Sequence, residues 1–332
     1  MKKTVIIGLG SISAVHIAAL TENGFGVIAG ICDIDRKKID AAKKAIPYEV
    51  AAFTDYREML TKIQPDVVHI CTPHYLHVPM CVDAMKAGAD VYLEKPAAMN
   101  SEEGKFLLAE QKRYGKQVCV SFQNRALPTS VEAKRIIDTK ELGDFVGARG
   151  FMTWKRTGAY YTASTWRGKW ATEGGGVLMN QSIHTLDLLQ YFGGGVGKTE
   201  GSVALRANGG ITEVEDTAEA LLTYKNGAHG VFFASDCNAL DVPVLIELYF
   251  TNGKLRLEND KLYRDVGNGY EVIVDDASAV KPGKAVWGSG HVSMMKRFYA
   301  ALDGAPADYC TLEDGLAVIR VIDDIYGGRH QL

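Results

Sequence analysis

No two of the six cysteines are spaced C-x-x-C; they stand at 32, 71, 81, 119, 237 and 310. Zinc asks for clustered Cys and His with closing spacing, so no metal site is expected. A chain of 332 residues does not need disulfide staples either, which leaves buried, reduced thiols and a reducing compartment as the reading. No window approaches the ~20 apolar residues needed to span a bilayer. Neither sign of charge prevails: 37 Lys plus Arg stand against 40 Asp plus Glu, a net charge of -3. The basic excess of a nucleic-acid binder is missing, and so is any long like-sign block that would read as an interaction tail. Internal repeats and low-complexity linkers are also missing.

What is there is a hydrophobic share of 47%, ordinary for a globular protein, in a chain too long for a single core. Two domains are expected, 1–121 and 122–332. Lys2-Lys3 followed by the apolar run from Val5 to Leu20 imitates a secretory leader. Gly8, Gly10 and Ser11 break that run early, His16 sits inside it, and no small-x-small pattern precedes Thr21-Glu22-Asn23. A strand, a turn and a helix explain the stretch better, and the expected location is cytoplasmic.

The first 120 residues alternate β-branched runs with helical stretches. Strands are predicted at Thr4–Gly8, Val27–Cys32, Tyr48–Phe53, Asp66–Cys71, Val91–Glu94 and Val118–Ser121. Helices are predicted at Ser11–Glu22, Arg36–Ala45, Tyr56–Lys62, Tyr75–Ala87 and Ser101–Tyr114. Such alternation means a doubly wound parallel sheet of the Rossmann kind. After Phe122 the pattern changes. A helix at Ser130–Thr139 and a strand at Gly143–Trp154 precede a Tyr- and Trp-rich stretch, and a Gly-Gly-Gly turn then opens a helix at Val177–Tyr191. Strand follows strand from Thr199 to Tyr263, with hairpin signals at Lys225-Asn226-Gly227 and Thr251-Asn252-Gly253-Lys254. Helices at Val292–Leu302 and Leu312–Tyr326 close an α+β domain with a large, mainly antiparallel open sheet.

The first strand runs into Gly8-Leu9-Gly10-Ser11-Ile12-Ser13 and then a helix. Gly8 permits the tight turn, Gly10 lets the backbone approach a pyrophosphate, and the helix N-terminus supplies amide donors. Ser13 stands where a third Gly or Ala is usual. The second strand ends at Asp33, whose carboxylate can accept from adenosine ribose hydroxyls and repel a 2′-phosphate, which favours NAD over NADP. Arg36 could still meet a phosphate; the plain alternative makes Asp33 a helix cap. Two more segments fall at C-terminal ends of parallel strands, where such sheets bind ligands: Cys71-Thr72-Pro73 with His74 and His77, and Glu94-Lys95-Pro96. Lys95, between Glu94 and a rigid proline, is a candidate proton-relay group.

Gly8-x-Gly10 with His16, Cys71-Thr72-Pro73-x-x-x-His77, Glu94-Lys95-Pro96, and Gly174-Gly175-Gly176-Val177-Leu178 followed by His184-x-x-Asp187 occur together and in order. With Asp216-Thr217-Ala218 and Thr311-Leu312-Glu313-Asp314-Gly315, that combination resembles the glucose–fructose oxidoreductase / inositol dehydrogenase (Gfo/Idh/MocA) family over essentially the whole chain. The resemblance implies an NAD(P)-binding domain followed by a domain whose sheet walls the active site and whose open face mediates oligomerisation, as a homodimer or homotetramer. It implies hydride transfer between a sugar or polyol carbinol carbon and the nicotinamide. Lys95 matches the family lysine that hydrogen-bonds the reacting oxygen, His184 the general acid/base, and Asp187 the acidic residue one turn later.

Inositol-dehydrogenase-like members carry Asp four residues before the histidine; this chain has Asn180. Helical spacing would put Asn180 and His184 on one face. Asn180-Gln181 after three glycines looks like the branch that oxidises the 3-hydroxyl of pyranosides and nucleotide sugars, where an Asn-Gln pair meets the sugar. Lys95 and His184 are then the working pair. Gln123, Trp166 and Arg167 are expected near the cofactor, and Asn124, Arg125 and Tyr160 near the substrate, since aromatic faces suit pyranose C–H groups and guanidinium suits anions. His291 is a further candidate, approaching the site from the C-terminal segment. Competing readings are an NADPH-dependent keto-sugar or dihydrodiol-type reductase, a non-catalytic nucleotide-sensing module, and an enzyme that recycles NAD in place.

Overall fold

The computed structural model describes residues 1–276 and 289–327. By its contacts the chain divides into two compact units. The first is built from Met1–Ala98, Glu102–Ala126 and the described part of Val280–Leu316; the second from Met99–Ser101, Leu127–Ala279 and the described part of Ala317–Leu332.

The opening part of the first unit alternates as expected: β1 (Lys2–Ile7), α1 (Ser13–Asn23), β2 (Gly26–Cys32), α2 (Arg36–Ala45), β3 (Ala51–Phe53), α3 (Tyr56–Ile63), β4 (Val67–Ile70), α4 (His77–Lys86), β5 (Asp90–Leu93), α5 (Ser101–Tyr114) and β6 (Val118–Val120). The six strands pair in parallel in the order β3-β2-β1-β4-β5-β6. β4 is buried along its whole length, as a strand covered on both faces must be. The chain order reverses beside β1, which makes the carboxyl ends of β1 and β4 the topological switch point where ligands bind in open parallel sheets.

The second unit holds α6 (Pro128–Asp138), β7 (Phe145–Thr153), α7 (Gly158–Thr162), α8 (Trp170–Glu173) and α9 (Ile183–Phe192). Strands β8 (Val196–Ala204), β9 (Thr217–Tyr224), β10 (His229–Ser235), β11 (Leu245–Phe250), β12 (Gly253–Glu258), β13 (Lys261–Asp265) and β14 (Glu271–Asp275) follow. Its eight-stranded sheet has the order β14-β13-β12-β11-β7-β10-β9-β8 and is antiparallel except where β10 pairs with β7. Both expected hairpins are present, at residues 225–228 and 251–252. α9 lies on the inner face, where Gly150 leaves room for Leu189; a Cβ on Gly150 would stand 2.7 Å from that side chain.

Three expectations need correction. The helix predicted from Val177 begins only at Ile183, and residues 177–182 form turns closed by Asn180 N to Gly176 O and Ser182 N to Val177 O. Asn180 and Gln181 are therefore not on α9, and the helical-face argument for Asn180 does not hold. The helix predicted from Tyr75 starts as a 3-10 turn at His74–Leu76 and becomes α-helical at His77. The helix predicted near 292–302, α10 (Gly290–Leu302), packs in the first unit against α1 and the turn Gln123–Ala126. The last helix is α11 (Leu312–Tyr326). Among the described residues, no helix is long and apolar enough to cross a membrane. Cys32, Cys71, Cys81, Cys119 and Cys310 are buried free thiols, whereas Cys237 is half-buried.

Candidate active site

β1 leads into the glycine loop. Gly8 has φ +88°, and a Cβ there would meet the Cys71 backbone at 2.7 Å and Thr72 Cγ2 at 2.8 Å, so the loop is threaded tightly beside the turn after β4. Only glycine suits both constraints. Gly10 differs: a Cβ added to it has nothing within 4 Å. Gly10 and Ser11 are exposed at the start of α1, and Ser13, the first residue of that helix, turns its hydroxyl back onto the Gly10 carbonyl at 2.7 Å. The result is an open backbone cradle with helix amides behind it, the donor set a pyrophosphate requires.

Asp33 follows β2. Its Oδ2 accepts from Leu9 N at 2.7 Å and its Oδ1 from Asp35 N at 2.9 Å, so the carboxylate is fixed beside the glycine loop. The cap of α2 is Asp35, which accepts from Lys37 N, and not Asp33. Each Asp33 oxygen keeps a second lone pair for a ribose hydroxyl. Arg36 is exposed at the start of α2, and Lys38 Nζ lies 3.8 Å from Asp33 Oδ2. These residues fit a dinucleotide.

After β5, Glu94 is buried (6% exposed) while Lys95 is half-buried. Burial pushes the Glu94 carboxyl up, but the hydrogen bond and charge of His16, with His291 and Ser121, outweigh it and hold the group down at about 2. His16 Nε2 donates to Glu94 Oε1 at 3.0 Å, and His291 Nε2 lies 3.8 Å from the same oxygen. The network runs on inward: His16 Nδ1 to His69 Nδ1 at 2.8 Å, His69 Nε2 to the Tyr299 hydroxyl at 2.9 Å, and Tyr299 to the Thr4 hydroxyl at 2.9 Å. With Glu94 ionised, His16 Nε2 donates to it, and a neutral His69 faces His16 with one ring nitrogen and the Tyr299 hydroxyl with the other, so the network runs unbroken from Glu94 to Thr4. Burial keeps the His69 pKa well below that of a free imidazole. Sequence reading missed His69 and Tyr299; a histidine inside the apolar run Val67–Ile70 was the one visible signal.

His74 and His77 are buried beside the turn after β4, and His77 bonds the carbonyls of both Thr72 and Pro96. Gln123 and Arg125 are buried in the turn after β6, with Arg125 Nη1 3.9 Å from Asp314 Oδ1; Asn124 between them is half-buried.

In the second unit, His184 and Tyr191 are the two residues of α9 that are half-buried, the rest of the helix being buried. The glycine loop ahead of it is held by two buried carboxylates that the sequence did not reveal. Glu215 accepts from Gly176 N at 2.9 Å, Leu178 N at 3.0 Å and the Tyr326 hydroxyl at 2.8 Å. Burial pushes its carboxyl up, and these donors leave it at about 7. A Cβ on Gly176 would stand 1.9 Å from the Glu215 carbonyl oxygen. Glu173 accepts from Gly168 N and Asn180 Nδ2, each at 2.5 Å. Asn180 Nδ2 and Gln181 Nε2 both reach the Tyr160 hydroxyl, at 3.2 and 3.1 Å. Arg167 lies over the rings of Tyr160 (4.6 Å) and Trp166 (5.0 Å). Gln181 Oε1 is buried and has no hydrogen-bond partner among the described residues. Asp187 is buried on α9. No group of three His, Cys, Asp or Glu among the described residues could hold a metal ion.

Residues 2–122 match the family model described as "Oxidoreductase family, NAD-binding Rossmann fold", and residues 130–256 match the Gfo/Idh/MocA C-terminal domain. The chain is an NAD-binding oxidoreductase of the Gfo/Idh/MocA family. It is similar to the scyllo-inositol 2-dehydrogenase (NAD(+)) of Bacillus subtilis, with 26% identity over 82% of this chain and 80% of that protein. The uncharacterized oxidoreductase YrbE of the same organism is 26% identical over 78% of this chain and 74% of its own. A crystal structure of the WlbA dehydrogenase from Bordetella pertussis, in complex with NADH and UDP-GlcNAcA, aligns with a TM-score of 0.85 and 26% identity, covering 98% of this chain and 95% of that one.

Two outcomes test the nucleotide edge. Gly10→Ala adds a methyl to open space, so thermal stability should stay within ~0.5 kcal/mol of the parent while NADH affinity, read by nucleotide fluorescence, falls at least about tenfold. Because the Glu94 carboxyl is lowered on folding, its contribution is complete above its ordinary pKa near 4.5 and disappears as pH falls toward 2. Urea unfolding should show Glu94→Gln less stable than the parent at pH 6, by on the order of 3 kcal/mol, with the gap narrowing steadily in acid.

Proposed function

We propose that the chain oxidises a secondary alcohol of a sugar, glycoside or polyol, at the pyranose 3-hydroxyl, with NAD as acceptor. Lys95 and His184 are the reacting side chains. The observation that carries the reading is the Tyr160–Asn180–Gln181 cluster with its orphaned Gln181 oxygen. A buried acceptor without a donor costs about 1–3 kcal/mol, and a sugar hydroxyl supplies that donor while accepting from a neighbour. The relatives that act on or bind an inositol and a nucleotide sugar support the same substrate class.

Bound nicotinamide would supply the hydride acceptor. Removing hydride from carbon and a proton from oxygen builds negative charge on that oxygen. Lys95, as an ammonium, holds the oxygen and stabilises the charge; His184, as a neutral imidazole, takes the proton and returns it in the reverse direction. Glu94 keeps the chain at Lys95 in place, and Glu215 and Glu173 keep the loop ahead of His184 in place. Asp33 supports NAD over NADP.

The partner we propose is a second copy of this chain, seated on the open face of the eight-stranded sheet. There Leu221 (59% exposed) and Val231 (41% exposed) stand directly opposite each other across β9 and β10, while Ala220, Leu222, Phe232 and Ala234 face the core. Exposed apolar residues paired across neighbouring strands suit an isologous interface.

A screen for NADH release over free sugars, glycosides, inositols and nucleotide sugars should give turnover with one of these classes. Lys95→Ala and His184→Ala should each lower kcat by about 10²–10⁴-fold. NADH binding without turnover on any of them would overturn the reading, and tighter binding of NADPH than of NADH would overturn the part given to Asp33. Light scattering should find more than one chain per particle, and Leu221→Glu with Val231→Glu should reduce the mass to that of a single chain.

A further inference from the structure

His77 makes two hydrogen bonds, and both end on carbonyl oxygens. Nδ1 lies 2.8 Å from the oxygen of Pro96 and Nε2 2.8 Å from that of Thr72. A carbonyl oxygen only accepts, and a neutral imidazole carries a single hydrogen. A neutral ring could make one of these bonds but would then set a nitrogen lone pair against the other oxygen. Only the imidazolium satisfies both. Thr72 belongs to the turn after β4 that packs on Gly8; Pro96 follows Lys95 in the turn after β5.

We propose that His77 is a positioning residue: as an imidazolium it staples the Thr72 turn to the turn that carries Lys95, and its deprotonation releases one of the two. The inference rests on the reading of Lys95 given above, because only then does the placement of that turn govern the reacting oxygen.

The groups facing the ring come from each neighbouring element. His74, in the 3-10 turn ahead of α4, has its ring 5.7 Å away; Glu94 and Lys95 stand after β5. Burial opposes the charge most strongly. The Pro96 and Thr72 carbonyls and Glu94 favour it, Lys95 opposes it, and the net pKa lies below the 6.5 of a free imidazole. The start of α4, where His77 sits, adds to the opposition through the positive end of the helix dipole. The double bond is therefore an acid-side feature, complete at low pH and lost as pH rises through a value below 6.5.

The test uses the full chain labelled with ¹⁵N. Long-range proton–nitrogen spectra from pH 8 down to the acid limit of the folded state, with the His77 ring identified by its loss in His77→Gln, should show two protonated ring nitrogens in acid and one above the transition. NADH affinity should weaken several-fold across the same transition, and His77→Gln should lack that step. A ring with one bare nitrogen throughout, or an identical NADH profile in His77→Gln, would overturn the staple. If the variant does not fold, assignment of the wild-type ring through its own backbone correlations decides the matter. A Lys95→Ala variant with undiminished turnover would instead sink the reading of Lys95 and leave the ring titration standing.

Discussion

The first unit is organised around one carboxylate that has been taken out of water. Glu94 ends β5, stays ionised, and so needs donors. His16 provides one, but a buried imidazole has a second nitrogen to satisfy. That demand passes to His69, then to Tyr299, then to Thr4. A single anion thus recruits α1, β4, α10 and β1. It explains why α10, far along the chain, belongs with the opening residues. Removing one partner of such a pair strands a charge in the interior, at a cost of several kcal/mol. The residue after Glu94 inherits a fixed backbone from that arrangement, as the role proposed for Lys95 requires.

The second unit solves a different problem with the same chemistry. Its Gly174-Gly175-Gly176 turn has no side chains to pack, so its position must be specified through backbone amides. Glu215 takes one of them, Gly176 N, together with Leu178 N just beyond, and is itself held by Tyr326 from α11. Glu173 takes Gly168 N and the Asn180 side chain. Acceptors on rigid neighbours thereby place a flexible segment, and the polar side chains that follow it take a defined position without belonging to a helix.

The parallel sheet was legible because its strands are apolar runs bounded by turn chemistry, and the glycine loop because its spacing has a steric purpose that Gly8 and Gly10 meet in different ways. Hairpins at Asn226-Gly227 and Asn252-Gly253 carried their own local signal. Less legible was whatever depended on distant partners. Val177–Ser182 has the apolar spacing of a helix, yet its amides close turns of mixed span, Asn180 N on Gly176 O and Ser182 N on Val177 O, and the helix waits until Ile183. Tyr299 and Thr4 are 295 positions apart, and no window of sequence shows that they share a hydrogen bond. Buried carboxylates such as Glu173 and Glu215 look like surface residues to any composition rule, since carboxylates are seldom buried unless paired.

That last point bears on Asn180, where the family resemblance leads one to expect an aspartate. Asn180 Nδ2 stands 2.5 Å from Glu173 Oε1. An aspartate at 180 would bring two carboxylates to that distance inside the protein, and two such groups cannot both remain ionised. Either one would carry a proton or the loop would move. An asparagine has the same shape and brings a donor, so the pair becomes a hydrogen bond. Asn180 and Glu173 are in this sense one feature: the side chain that follows the glycines is neutral, donates to the buried carboxyl and already holds Tyr160.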